Sequence, residues 1–239
     1  MSAAAALLDR LGRPGTVRLG ATATGQAARL VTGLPALDAA LEGGLPRGRV
    51  TELAGARSAG RTGLACRIAA SATSAGETIA WVDSDDALDP AAAAAAGVAL
   101  ARTLWVRPRG VADAFVAAEI LLGAGGFGLV VLDLGNRPGS LPGPSGSAIG
   151  GTKRPPRVTS WPRLARAAEH TRSTLLVLTP SSQTATSTAL RLELTGRRVQ
   201  WSGGPGRRLL LDGVTTRLTV ARIRGAGAGR ALVVRQACA

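Results

Sequence analysis

Residues 50–62, VTELAGARSAGRT, constrain the fold more than any other stretch of this chain. The apolar run from Val50 to Ala54 has the length of a buried strand, and a loop of small residues and a helix start follow it. Gly55, Gly60, Arg61 and Thr62 stand at the spacing of a phosphate-cradling G-x-x-x-x-G-K-[ST] loop, with arginine in the lysine position. Glycines let backbone N–H groups turn toward phosphate oxygens, and the helix start adds the positive end of its dipole. The hydroxyl of Thr62 is placed to hold magnesium.

Strand and helix patterns alternate through the rest of the chain. A helix is expected over 35–41, a strand over 103–107 and a helix over 111–123. GLVVLD (128–133) reads as a buried strand ending in an acid, 161–171 as a helix and 173–180 as another core strand. This order predicts an α/β fold, mostly a parallel sheet with helices on both faces and ligands at the C-terminal strand ends. Segments 190–201, 207–213, 216–225 and 231–236 alternate polar and apolar residues and read as a C-terminal antiparallel meander. Residues 1–29 read as an N-terminal helix, with Leu7, Leu8 and Leu11 on one side, and a linker; residues 30–239 form one core. Inside it, 135–160 is Gly/Pro/Ser-rich and too long for a turn, so it reads as a long flexible loop.

Charge is divided unevenly. The formal net charge is +14, yet residues 1–134 carry 12 Arg and 12 acids; residues 135–239 carry 16 Arg, the single Lys and three acids. The whole excess lies in the second half, which points to a polyanionic partner there, nucleic acid before membrane. Cys66 and Cys238 have no metal spacing and suit a reducing cytoplasm, and the lone His170 reads as a surface residue. MSAAAALLDRLGRPG lacks the features of a secretory leader, and no apolar run reaches a membrane span, so a cytoplasmic, nucleoid-associated protein is expected.

LVTGLPALDAALEGGLPRGRVTELAG (30–55) resembles the approach to the core of RecA-type recombinases, where T-G-x-x-x-L-D-x-x-L-G-G-G-[LI]-P-x-G precedes the P-loop strand. ETIAWVDSDDALDPAAAAAAGV (77–98) is similar to that family's second strand and its A-L-D-P turn, and the likeness runs in register over roughly 30–235. The resemblance implies ATP and magnesium as cofactors. It places Gly55, Gly60, Arg61, Thr62 and Asp133 around the nucleotide, with Thr62 and Asp133 on the metal. Asp85 takes the position of the family's catalytic glutamate, which orients the attacking water; Asp83 and Asp86 flank it.

This chain departs from the pattern at each step. Arg61 is planar and bulkier than the compact lysine ammonium. Asp85 is one methylene shorter than glutamate, and misplacement by about 1 Å can cost a hundredfold in rate. Ala92 stands where the family stacks adenine on tyrosine, and Thr179-Pro180 replaces the Asn-Gln that relays nucleotide state to DNA. Together these predict that hydrolysis is absent or vestigial and leave nucleotide binding open.

For DNA, the candidates are Lys153, Arg154 and Arg157 in the long loop, and Arg191, Arg197, Arg198, Arg207 and Arg208 on the meander. Trp161 and Trp201 are the aromatics placed to stack on single-stranded bases. The long loop and 181–188 fall at the family's two DNA-binding loops. A short core with an altered P-loop is similar to the ImuA group. That resemblance implies an accessory role in the SOS response and translesion synthesis. Its partners would be an ImuB-like inactive polymerase, an error-prone polymerase, RecA and DNA. Two alternatives stay open: an active RecA-type DNA-dependent ATPase, and a SulA-like cell-division inhibitor, against which the basic second half weighs.

Overall fold

The computed structural model describes residues 28–135, 161–184, 187–204, 210–223 and 230–237. Strands β1 (Arg29–Leu30) and β2 (Leu45–Pro46) pair antiparallel on either side of helix α1 (Pro35–Ala40). There follow β3 (Val50–Gly55), α2 (Arg61–Ser74), β4 (Ile79–Asp83), α3 (Pro90–Ala95), β5 (Thr103–Val106), α4 (Val111–Ala124) and β6 (Leu129–Asp133). The chain continues with α5 (Trp161–Thr171), β7 (Thr174–Thr179), β8 (Leu190–Ser202), β9 (Leu210–Ile223) and β10 (Arg230–Ala237).

The main sheet has the order β10-β9-β8-β3-β7-β6-β4-β5. Strands β8, β3, β7, β6, β4 and β5 run parallel, while β9 and β10 complete an antiparallel meander. Successive residues of a strand point to opposite faces, and here both faces are covered. On β6, Leu129 and Val131 join a core with Leu64 and Ile68 of α2; Val130 and Leu132 join a second core with Phe115 of α4 and Leu164 of α5. This double burial is why the parallel strands read as unbroken apolar runs. Among the described residues no helix is long and apolar enough to cross a membrane.

Three details differ from the sequence reading. The two strands expected over 207–213 and 216–225 are one, β9. Its Gly213 is paired on both flanks, with Gln200 and Ala237, so neighbouring ladders hold the glycine extended. Trp161 is buried and meets the Phe115 ring edge-on at a centroid distance of 4.7 Å, so it cannot stack on a base. The third is β8, which runs past the end of β3. It pairs with β3 from Leu190 to Leu194, and residues beyond that pair with β9 alone. The basic end of the β8–β9 hairpin therefore overhangs the C-terminal edge of β3.

Asp89 sets the start of α3: its Oδ1 accepts from the N–H of Ala91 at 2.8 Å and Ala92 at 3.3 Å. Replacing it with alanine leaves these groups uncapped. Asp89→Ala should cost about 1 kcal/mol, read as a lower urea midpoint; an unchanged midpoint would show that the cap carries no net energy.

Candidate phosphate-binding site

The C-terminal ends of β3, β4, β6 and β7 share one edge of the sheet, and the loop after β3 lies at its centre. Gly55 has no room for a side chain: a Cβ there would lie 3.0 Å from the Leu194 Cβ and 3.1 Å from its carbonyl oxygen. Gly60 takes φ 95°, a left-handed conformation open to glycine, and delivers the chain into α2. Gly60, the residue before α2, supplies no side-chain cap to the helix. The loop is tied to the meander, since Thr216 Oγ1 donates to the Ala59 carbonyl at 3.0 Å. An open cleft of about 550 Å³ lies on one flank, between the loop, Pro180–Ser182 and Glu193–Gly196. Its lining includes residues 54–59 of the loop but not the first turn of α2.

The predicted catalytic and metal residues gather on the other flank, outside that cleft. Gly135, with φ 67°, is their junction. Its N–H donates to Asp133 Oδ1 at 2.9 Å, and its carbonyl faces Arg61 Nη1 and Nη2, each at 3.4 Å. The Asp85 carboxylate lies against its Cα: a Cβ built there would sit 2.0 Å from Asp85 Oδ2. Arg61 is buried, and desolvation lowers its pKa while Asp133 and Asp85 oppose the shift. Burial pushes Asp133 up to about 6, against the pull of the Gly135 N–H and the Arg61 charge. Thr62 is exposed on the first turn of α2. Asp83 is buried; its Oδ2 accepts from the Leu88 N–H at 2.8 Å, and its buried Oδ1 and the Ser84 hydroxyl have no hydrogen-bond partner among the described residues. Asp86 is exposed and pairs with Arg107 at 3.5 Å. Gly55, Gly60, Arg61, Thr62, Asp85 and Asp133 are thus at one strand edge.

Magnesium does not fit this arrangement as it stands. The acid that would bind it, Asp133, already shares its buried site with the Arg61 guanidinium.

Glu52 has no role in the sequence reading and proves to be a hub. It is fully buried on β3 and accepts from Arg191 Nε at 2.8 Å, Gln183 N–H at 2.6 Å, Thr184 Oγ1 at 2.8 Å and Thr184 N–H at 3.2 Å. Thr179 and Ser182 hydroxyls add longer contacts. This carboxylate pins the segment after β7 to the strand that carries the loop. The available signal was a lone acid inside an apolar strand, a position where burial demands partners.

Among the DNA candidates, Arg191 is committed to Glu52, with its side chain 18% exposed. Arg198 is exposed on the overhanging hairpin, and Arg197 lies beside it, paired to Thr216 in the ladder. Trp201 is 59% exposed on the same strand. Lys153, Arg154, Arg157, Arg207 and Arg208, and the N-terminal helix, lie outside the described residues.

Together, sheet order and loop define a RecA-like α/β fold built around a phosphate-type loop. The RecA N-terminal domain family matches residues 1–136, and the chain belongs to that family. Protein RecA of Rubrobacter xylanophilus is 39% identical over 125 residues, which cover 52% of this chain and 36% of the relative. Protein RecA of Deinococcus radiodurans is 40% identical over 123 residues, covering 51% and 34%. The alignments thus span about a third of the length of these curated relatives. The crystal structure of the RadB recombinase superposes with a TM-score of 0.62 at 18% identity, covering 86% of this chain and 95% of that one. That likeness is one of fold. The match to the family model ends at residue 136, whereas the fold likeness continues into the basic half.

Proposed function

We propose that this chain is a non-catalytic, at most weakly ATP-binding accessory protein of DNA-damage-induced translesion synthesis, of the ImuA group. It acts through contacts with an ImuB-like inactive polymerase, an error-prone polymerase, RecA and DNA. Membership of the RecA N-terminal domain family supports a part in DNA repair or recombination and the binding of DNA. The observation that carries the non-catalytic reading is the seat of Arg61. Its guanidinium is folded back on the Gly135 carbonyl, beside the acids that hydrolysis would need. Phosphate release from ATP, measured with single-stranded DNA present, is expected to stay at background. Turnover that Asp133→Ala abolishes would overturn this reading in favour of a RecA-type DNA-dependent ATPase, which the intact strand–loop–helix geometry favours.

Contact with DNA rests on the basic second half and on the hairpin that carries Arg198 past the sheet edge. If about five arginines each neutralise a phosphate, affinity should fall with log salt at a slope of roughly −3.5 to −4.5. A titration across salt that finds no dependence would remove DNA from the list of ligands. Pull-down with purified RecA tests the protein partner, and recovery of none, with or without DNA, counts against it.

A further inference from the structure

We propose that Arg61 is a resident counter-ion that takes the place of a divalent metal beside Asp133 and Asp85, so that the site has no use for magnesium. The inference rests on the non-catalytic reading above and goes beyond it, because a silent ATPase could still bind the metal.

The geometry carries it. A magnesium-type site needs one or two carboxylates, and it completes its shell with water and neutral oxygens. Asp133 and Asp85 would supply the carboxylates and the Gly135 carbonyl a neutral oxygen, all around one residue. The guanidinium is directed at that same carbonyl through both terminal nitrogens, and its side chain is buried. Both acids act on its charge. Facing this group from β4 is Asp83, also buried, with one oxygen held by Leu88 and the other without a partner among the described residues. The edge is therefore rich in buried negative charge, and Arg61 is the cation that the described residues bring to it. A divalent ion entering here would meet a guanidinium at close range, where repulsion is strong. It would also displace an internal partner that is present at no cost in concentration. Arginine suits this post better than lysine because its planar fork can face a carbonyl while its charge serves two carboxylates. The open cleft on the loop's other flank includes none of these groups.

The test uses Mn²⁺ alone as probe, followed by electron paramagnetic resonance of the free ion, on the full chain. The wild-type protein is expected to bind no Mn²⁺ that Asp133→Asn removes. Arg61→Ala should expose the carboxylates and tighten Mn²⁺ binding by at least about tenfold, and adding Asp133→Asn should abolish the gain. Because an alanine here leaves buried acids uncompensated, Arg61→Gln, which can still donate to Gly135, serves as second variant. Both are checked for cooperative unfolding. Folded Arg61→Ala and Arg61→Gln proteins that bind no Mn²⁺ overturn the inference. An Asp133-dependent Mn²⁺ signal in the wild type without phosphate release overturns it too, and leaves the accessory reading standing. Phosphate release that requires Mg²⁺ overturns both.

Discussion

Arg191→Ala is expected to lower the unfolding free energy by about 3–5 kcal/mol, the range found when one partner of a buried ion pair is removed. The reason lies in Glu52. Its carboxylate is fully buried, and Arg191 is the cation paired with it, at 2.8 Å. The other contacts come from neutral donors of Thr179, Ser182, Gln183 and Thr184. They soften the loss without supplying charge, which places the effect toward the lower end of the range. The urea midpoint should fall with little change in m, since the same surface is exposed on unfolding. Arg198→Ala provides the contrast. Its side chain is exposed, so the midpoint should hold while the salt slope of DNA binding shrinks by roughly 0.7–0.9. If Arg191→Ala instead behaves like Arg198→Ala, then Arg191 is a phosphate contact and Glu52 is held by its neutral donors alone.

Asp133→Asn should stabilise the protein at neutral pH. The Asp133 carboxyl is pushed from its ordinary 3.8 to about 6, first by burial. A carboxyl whose folded pKa exceeds its unfolded value favours the folded state while protonated. That contribution is complete below about pH 4 and is lost as pH rises through about 6. At pH 7 the ionised group is therefore a burden of about 3 kcal/mol at one pKa unit per 1.36 kcal/mol, a scale good to order of magnitude. Asparagine keeps an oxygen for the Gly135 N–H and removes the charge. Urea unfolding should show the variant gaining about 2–3 kcal/mol at pH 7 and matching wild type near pH 3. A variant less stable than wild type at pH 7 would mean that attraction to Arg61 outweighs burial. Such a result would also strengthen the case for Arg61 as a structural cation.

These two residues divide what could be read early from what could not. Asp133 was visible as an acid closing an apolar run, and Gly55, Gly60 and Thr62 by their spacing, because strand length and loop turns are local properties of the chain. The helix over 161–171 and the core strands followed from the same periodicity, and the structure has them at nearly the same bounds. Glu52 gave no such sign. Its partners lie 127–139 residues away, and no local pattern encodes a contact across that distance. Trp161 is similar: an aromatic next to a basic stretch looks like a stacking residue until the Phe115 ring of α4 is found against it.

By itself the sequence determined the alternation of strands and helices, the loop between β3 and α2, and the concentration of positive charge after residue 134. Those depend on near neighbours and on composition. Only the tertiary structure decided that Arg61 turns toward Gly135 and away from the open cleft, that Arg191 answers Glu52, and that β8 overruns β3. The first two are settled by which buried charge stands nearest in space, and the third by the pairing of β8 with β9 beyond Leu194. Desolvation makes an uncompensated buried charge costly, so the folded chain pairs it with whatever opposite charge the sheet brings within reach.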